Sequence, residues 1–231
     1  MIKIFDPLEH YQKKLLKFSK SSKCPELLKS FYQRPIPRSK DLLKDLKVIS
    51  FDFETTGIDV NKDFVLSIGG ISIVNGAIDF GTAFHYFVNN GKFVKKDSAI
   101  INQITPEQLQ GGKDPIMAIL ELLDKVAGNV VLVHCKFIET NFIKNTLKLP
   151  KNAPLPFVVL DTMSIERTLI RQKNIDDVRL TSIRERRKLP AYDGHNALVD
   201  SLATAEVLLS QTKDIFGKVK ANLGILYKRS R

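Results

Sequence analysis

Residues 49–57 read ISFDFETTG, and this stretch decides the fold because apolar and acidic residues alternate in it. In a β-strand, residues two apart project from the same face. Asp52 and Glu54 therefore share one face, while Phe51 and Phe53 point into a core on the other. Neighbouring carboxylates repel each other unless a positive charge lies between them, and a hard divalent cation supplies one. The pattern alone leaves open an exposed acidic strand edge without chemistry.

The composition allows one large domain and favours a polyanionic partner. The chain has 231 residues, 43% of them hydrophobic, and a formal net charge of +11. This hydrophobic content is sufficient for a buried core. Residues 1–47 hold twelve basic and five acidic residues, and five basic and no acidic residues follow Asp214. A surplus of this size favours nucleic acid as the partner.

The sequence lacks the marks of membrane and secreted proteins. No apolar run approaches the roughly 18–20 residues that span a bilayer, and the first residues contain no apolar signal-peptide core. Cys24 and Cys135 lie far apart and suggest neither a disulfide framework nor a zinc site. We expect a cytoplasmic protein with reduced thiols and no membrane contact.

Proline and charge divide the chain into three regions. Residues 1–46 are predicted to form a basic helical extension that ends in a linker at 34–38, RPIPR, because its two prolines cannot continue a helix. Residues 47–212 are predicted to be the main domain, and residues 213–231 a basic C-terminal tail. Whether the extension packs on the domain, binds nucleic acid or binds a protein partner stays open.

Five apolar runs predict the strands of an α/β fold. Three antiparallel strands are predicted at 47–53, 64–74 and 77–88, with an Asn75-Gly76 hairpin turn between the last two. Two buried strands are predicted at 129–134 and 157–160, and helices at 137–147 and 197–209. Antiparallel strands followed by alternating strands and helices imply a mixed five-stranded sheet flanked by helices.

Further acids fall where a site is expected. Glu139 begins the helix after the fourth strand, at the carboxyl edge of the sheet. His195 and Asp200 would lie about 140° apart on a continuous helix. They converge only if His195 lies in the loop before the helix, which Gly194 makes easy. Burying the charge of Asp200 without a partner is costly, which favours a metal ion.

These segments resemble the motifs of the DEDDh (DnaQ-like) 3′–5′ exonucleases, a superfamily that includes the epsilon proofreading subunit of bacterial DNA polymerase III, RNase T and oligoribonuclease. The resemblance rests on FDFETTG at 51–57, on Glu139, and on His195 followed by Asp200. It covers about residues 47–210 and is closest to the epsilon subunit. It implies a ribonuclease H-like fold and a nuclease that releases nucleoside 5′-monophosphates from single-stranded 3′ ends, of DNA rather than RNA.

The resemblance also implies residue roles. It implies two Mg²⁺ or Mn²⁺ ions and the catalytic residues Asp52, Glu54, Glu139, His195 and Asp200. His195 is the general base and the four acids hold the metal ions, with Asp52 bridging both. The terminal nucleotide is assigned to Thr55, Thr56, Gly57 and His134, although His134, at a strand end, also fits a structural role.

The middle motif departs from the family pattern. Glu139 stands where Asp is usual, Cys135 where Asn is usual, and Asn102 where His is common. Glutamate keeps the charge but adds one methylene, which places the rate in question. Two alternatives follow: an exoribonuclease of the same superfamily, and a catalytically weakened module that binds nucleic acid or a polymerase.

Other segments carry weaker hypotheses. Arg184, Arg186, Arg187 and Lys188 are predicted either to contact the substrate backbone or to form a solvated helix face. Residues 211–216 faintly resemble the clamp-binding peptide of some epsilon subunits, although Asp214 is poorly suited to an apolar pocket. A DNA polymerase or its clamp is therefore a further candidate partner. His85 is predicted to be a surface or packing residue.

Overall fold

A computed structural model describes residues 6–90, 104–171 and 175–231. The strands are β1 (Val48–Thr55), β2 (Val65–Val74), β3 (Ala77–Phe87), β4 (Val130–Val133) and β5 (Val158–Asp161). The helices are α1 (Pro7–Ser19), α2 (Lys29–Gln33), α3 (Pro106–Gln110), α4 (Pro115–Val126), α5 (Lys136–Thr146), α6 (Thr162–Ile170), α7 (Leu180–Arg186), α8 (Ala197–Phe216) and α9 (Leu223–Arg229). Short 3-10 helices lie at Glu26–Leu28 and Leu43–Asp45. Asn102 falls outside the described residues.

The five strands form one mixed sheet in the order β3-β2-β1-β4-β5. β1, β2 and β3 are antiparallel neighbours, whereas β4 and β5 run parallel to β1. Asn75 and Gly76 have φ of 53° and 76°, the left-handed values that a tight hairpin turn needs. The predicted strands, the hairpin and the ribonuclease H-like mixed sheet are therefore confirmed.

The two faces of β1 have different neighbours. Phe51 and Phe53 are buried in the main hydrophobic cluster, as predicted. On the other face, Ser50 Oγ donates a hydrogen bond of 2.7 Å to the Ser201 carbonyl and so fixes α8 across β1. Because Asp52 shares the face of Ser50, it lies under the first turns of α8.

Gly69 allows α8 to approach β2 closely. A Cβ atom at this position would lie 2.2 Å from the Leu198 nitrogen and 2.4 Å from the Ala197 carbonyl carbon. A larger residue would push the N-terminal end of α8 away from the sheet. Gly69 pairs with Asp52 across the β1–β2 ladder, so the glycine brings the start of α8 next to Asp52.

The helices before β1 pack on the connection that leads into β5. Leu15 and Tyr32 are fully buried in the main hydrophobic cluster. Tyr11 Oη donates to the Leu155 carbonyl and Tyr32 Oη to the Pro154 carbonyl, both at 2.9 Å. This segment therefore shares a core with the sheet. Its separation from the main domain at residue 46 stays a prediction.

Residues 213–231, which we predicted to be a tail, contain the end of α8 and the whole of α9. Leu223 and Leu226 are fully buried in the main cluster. Ser230 Oγ accepts a hydrogen bond of 3.1 Å from the Asp161 N–H at the end of β5. The helix thus lies against β5, the strand at one edge of the sheet, and edge strands commonly need such cover.

Two observations relate to the expectations of no membrane contact and of reduced thiols. Among the residues that the structure describes, no helix combines the length and the hydropathy needed to cross a bilayer. Cys24 and Cys135 are both free thiols.

Candidate active site

Three carboxylates from two elements meet at the end of β1. One oxygen from each of Asp52, Glu54 and Asp200 lies within 4.8 Å of the others. β1 supplies Asp52 and Glu54, and the first turn of α8 supplies Asp200. The sequence predicted that these three residues converge, and the structure brings them together.

His195 lies in the loop before α8, as the spacing predicted. The backbone N–H of His195 donates a hydrogen bond of 2.9 Å to Asp200 Oδ2, which joins the loop to the carboxylate cluster. The residue of this loop with a left-handed backbone is His195 itself, with φ of 66°. Asn196 then caps α8 by accepting from the N–H groups of Leu198 and Val199.

The carboxylates perturb one another because they are buried together. Burial, and next the charge of Glu139, raise the pKa of Asp52 well above its usual range. Burial and the charge of Asp200 raise the pKa of Glu54 to about 8. Burial also raises the pKa of Asp200, although the His195 N–H opposes this. Without a cation, Glu54 therefore favours the protonated form near neutral pH.

Glu139, the fourth acid, lies in the first turn of α5 and is 3% exposed. Its charge raises the pKa of Asp52 more than either neighbouring carboxylate does, so it lies beside Asp52 although outside the group of three. Its Oε2 is buried and has no hydrogen-bond partner among the described residues. An unpartnered buried oxygen beside three carboxylates is a donor set that suits Mg²⁺ or Mn²⁺.

A cavity of about 800 Å³ opens beside this cluster. Asp52, His195 and Asp200 form its acidic floor. Its walls come from α7 and from the loop that joins α7 to α8, and include Leu180, Leu189, Pro190, Ala191 and Tyr192. Apolar walls over a polar floor suit a nucleotide, because the base is apolar on its faces and the phosphate is charged.

Arg184 lines the cavity and supports its wall. Its Nη2 donates to the Pro190 carbonyl at 2.6 Å and its Nη1 to the Ala203 carbonyl at 2.9 Å. It also forms an ion pair of 2.7 Å with Glu206, which accepts a hydrogen bond from Tyr192 Oη. The hypothesis of a solvated residue is therefore wrong for Arg184, whereas its contact with substrate stays a prediction, because Arg184 also lines the cavity. The partner Glu206, 22 residues away, was not predicted.

Arg187 is also engaged inside the protein. It forms ion pairs of 2.7 Å with Glu166 and 2.6 Å with Asp214. Its side chain is only 10% exposed, so the predicted contact with substrate and the predicted solvated face are both wrong for it. Arg186 approaches Glu166 at 3.7 Å, and Lys188 is exposed.

The Thr55–Gly57 turn is held by internal hydrogen bonds. Thr55 Oγ1 donates to the Gly57 carbonyl at 2.7 Å, and Thr56 N–H donates to the Phe64 carbonyl at 3.0 Å. Thr56 Oγ1 donates to Asp63 at 3.0 Å. The Thr56 N–H is therefore already used within the chain, and the predicted contact of this turn with the terminal nucleotide stays a prediction.

His134 bonds the end of β4 to two other elements. Its Nδ1 lies 2.8 Å from Thr162 Oγ1 and its Nε2 lies 3.1 Å from the Val178 carbonyl. Burial lowers the pKa of His134. Both ring nitrogens are engaged within the chain, which favours the structural alternative over the substrate contact that we predicted.

A second cavity of about 390 Å³ lies on the other side of Glu54 and includes His85. Ser67, directly opposite Glu54 in the β1–β2 ladder, is fully buried and its Oγ has no hydrogen-bond partner among the described residues. Residues 67 and 85 drew no functional prediction, because only the strand register brings them beside an acid.

Residues 211–216 are part of α8. Gln211 is fully buried, and its Nε2 donates to the Thr162 carbonyl and to Glu166 Oε2, both at 2.9 Å. Phe216 is 9% exposed and packs in the main cluster. The hypothesis of a clamp-binding peptide is therefore wrong, because such a peptide must be free to enter a pocket of its partner.

Comparison with known families and proteins agrees with this geometry. The family model described as exonuclease (RNase T) matches residues 49–208. A PolC-type DNA polymerase III from Thermotoga petrophila is 25% identical over 161 residues, which are 70% of this chain and 11% of that protein. A DNA polymerase III subunit epsilon-like protein from Rhodobacter capsulatus is 29% identical over 72% of this chain and 24% of its own length. The chain thus spans about a tenth to a quarter of these relatives.

Solved structures share the fold. An E. coli exonuclease I–single-stranded DNA complex with zinc aligns with a TM-score of 0.63 and 14% identity, over 75% of this chain and 42% of that chain. Exonuclease X bound to 5′-overhanging duplex DNA aligns with a TM-score of 0.58 and 19% identity, over 79% of this chain and 99% of that chain. A 3′-exonuclease that recognises the histone mRNA stem-loop aligns with a TM-score of 0.60 and 14% identity, over 73% of this chain and 82% of that chain.

Proposed function

The chain belongs to the RNase T exonuclease family, and on that premise we propose that it is a metal-dependent 3′–5′ exonuclease of DNA. It releases nucleoside 5′-monophosphates from free 3′ ends. One observation carries the proposal. Oxygens of Asp52, Glu54 and Asp200 lie within 4.8 Å of one another, and the His195 N–H binds Asp200 at the same place.

The four acids would hold two divalent ions, Mg²⁺ or Mn²⁺. When bound, such ions would neutralise charge on the phosphate and lower the pKa of the attacking water. Asp52 would serve both ions, Glu54 and Asp200 would help to hold the first, and Glu139 would support the second. The raised pKa values of Asp52 and Glu54 support this assignment, because ions would replace the protons that these acids otherwise hold.

His195 serves as the general base. Its imidazole takes a proton from water as the water oxygen attacks phosphorus, the bond from phosphorus to the 3′ oxygen breaks, and that oxygen is protonated from solvent. The hydrogen bond from the His195 N–H to Asp200 supports this role, because it fixes the residue beside the cluster. The apolar wall that includes Leu189 and Tyr192 receives the terminal base.

Three observations support DNA as the substrate. The relatives quoted above are by name a PolC-type DNA polymerase III and a DNA polymerase III subunit epsilon-like protein, two of the structural neighbours are bound to DNA, and the net charge of +11 suits a polyanion. By the same likeness, a DNA polymerase is the proposed protein partner. Proofreading or repair is the corresponding role.

A cleavage assay tests the proposal. Single-stranded DNA and RNA carrying a label away from the 3′ end are incubated with the protein in Mg²⁺, Mn²⁺ or EDTA. We expect a ladder that shortens from the 3′ end of DNA with either metal and no cleavage in EDTA. Faster cleavage of RNA would identify an exoribonuclease. Binding without cleavage under every condition would identify a non-catalytic module.

A further inference from the structure

Two lysine-rich segments that are distant in sequence lie side by side. Residues 10–25 contain five lysines and no acidic residue, and residues 140–160 contain three lysines and no acidic residue. Tyr11 joins them, because its Oη donates to the Leu155 carbonyl at 2.9 Å and accepts from the Leu155 N–H at 3.1 Å. α1 therefore lies against the connection between α5 and β5.

The two segments contribute six lysines, which together we call the lysine face: Lys13, Lys14, Lys17, Lys144, Lys148 and Lys151. All but Lys144 are exposed, and Lys144 is half-buried with its Nζ donating to the Lys151 carbonyl at 3.0 Å. Among the described residues, none of the six forms an ion pair with an acid.

The charges of the two segments act on each other. Burial, and next the charge of Lys14, lower the pKa of Lys144. Crowded cations without acidic partners raise the local positive potential, which attracts phosphates and is relieved by binding them. Elsewhere in the same region the lysine at position 29 is paired, with Glu26 at 2.6 Å, so the lysine face differs from an ordinary surface with interspersed charge.

The lysine face and the acid cluster are joined by one helix. α5 holds Glu139 in its first turn and Lys144 in its last. Five residues of α-helix advance about 7.5 Å and turn by about 140°, so a strand whose 3′ end lies at Glu139 reaches the lysine face only by passing around α5, which takes several nucleotides. Lys13, Lys14 and Lys17 lie outside the part of the chain that matches the exonuclease family.

We propose that the lysine face binds the phosphate backbone of the nucleic-acid substrate several nucleotides to the 5′ side of the cleaved bond. The inference rests on the proposed function for the identity of the ligand. Such contacts make the affinity for nucleic acid depend on strand length and on salt concentration, because each phosphate contact releases counterions.

The test removes three charges at exposed positions by combining Lys14→Gln, Lys148→Gln and Lys151→Gln. The matched control removes three exposed charges near the end of α8 by combining Lys213→Gln, Lys218→Gln and Lys220→Gln. Both triples carry Asp52→Asn, and binding of labelled DNA of 4 and 30 nucleotides is measured in EDTA over a range of salt. Thermal melting verifies that both proteins are folded.

We expect the first triple to weaken binding of the 30-nucleotide strand about tenfold or more. Its log–log salt slope should fall by about 2, since each phosphate contact on a single strand contributes about 0.7. Binding of the short strand should change less than twofold, and the control triple should have a much smaller effect on both strands. Equal effects of the two triples, or an unchanged salt slope, would overturn the inference.

Cleavage of a dinucleotide separates this inference from the proposed function. The first triple, made without Asp52→Asn, should cleave the dinucleotide at the rate of the unmodified chain. An unmodified chain that binds long strands through the three lysines but cleaves nothing contradicts only the proposed function. A chain that cleaves but whose binding of long strands ignores the three lysines contradicts only the lysine face.

Discussion

A charge cluster lies at each end of helix α8, and the two clusters differ in how their acidic charge is balanced. At its last turns, Asp214 and the buried Glu166 are met by Arg187 at 2.6 and 2.7 Å. At its first turn, Asp200 lies within 4.8 Å of the acids Asp52 and Glu54, and among the described residues it accepts the His195 backbone N–H but forms no ion pair with an arginine or lysine. The sequence treats the two regions alike, as acidic and basic residues among apolar ones.

The difference separates charged groups that stabilise the fold from charged groups that can bind metal ions and take part in a reaction. A buried carboxylate that meets an arginine is neutralised by its own chain and stabilises the packing around it. A group of buried carboxylates without cations destabilises the folded state and is retained where something else supplies the positive charge. The cluster at Asp200 is therefore the one that we assign to metal ions and catalysis.

The largest expected effect breaks the catalytic cluster. Asp52→Asn removes the ligand that serves both ions, whose charge stabilisation amounts to several kcal/mol, so cleavage should fall on the order of 10⁴-fold. Folding should be retained or improved, because one repelled carboxylate is gone. Initial rates on labelled DNA, with thermal melting, measure both effects. The same substitution at the exposed Asp45 should change neither, and a wild-type rate for Asp52→Asn would refute the site.

Breaking the cluster around Arg187 should lower the stability of the fold and not the cleavage chemistry. Glu166→Ala leaves Arg187 with a much weaker set of partners in a buried position, which costs about 3–5 kcal/mol of unfolding free energy. Urea denaturation measures it. Glu26→Ala, which opens the exposed pair with Lys29, should cost less than about 1 kcal/mol. Similar losses for the two variants would mean that burial does not distinguish these ion pairs.

The pH dependence of stability should report the carboxylate cluster at the start of α8. Without metal, the folded state holds a proton on Glu54 up to about pH 8, whereas the unfolded chain releases it near its reference value of 4.5. Unfolding free energy should therefore fall as pH rises through this window, by on the order of 2–4 kcal/mol. Thermal melting in EDTA measures the fall, which Glu54→Gln should reduce. A stability that rises with pH over this window in EDTA contradicts the account.

The smallest expected effect on the cleavage rate concerns the side-chain length of Glu139, the fourth acid. Glu139→Asp restores the residue that is usual in the family, and because Glu139 already lies beside Asp52, cleavage should change less than about tenfold, or 1.4 kcal/mol. Glu139→Gln is the matched variant, which removes the charge at constant side-chain length. It should have a lower cleavage rate than Glu139→Asp. Steady-state cleavage rates measure both variants. A large gain for Glu139→Asp would show that the extra methylene displaces the carboxylate.

Local rules predicted most of the fold and the acids of the site. The period of two in β1 placed Asp52 and Glu54 on one face, the Asn75-Gly76 turn fixed the hairpin, and apolar runs marked the buried strands. The turn per residue of an α-helix placed His195 before α8. These inferences succeeded because each depends on neighbours in sequence.

The contacts that the sequence did not reveal join distant residues. Arg184 and Glu206 are 22 positions apart, and the contact of Gly69 with Leu198 spans more than half of the chain. Whether an arginine meets a substrate or a partner of its own chain depends on packing, which spacing does not encode. For the same reason, residues 211–216 resembled a free peptide although α8 buries Gln211.

Titration calorimetry of Mn²⁺ binding to the protein near pH 7 tests the central claim most directly. Repeating the titration in buffers of different ionisation enthalpy counts the protons released. We predict binding with net proton release, because the ions displace protons from carboxyl groups whose pKa is raised, and we predict that Asp52→Asn and Asp200→Asn both weaken binding at least about tenfold. No binding at millimolar Mn²⁺, or equal binding by these variants, would contradict the account.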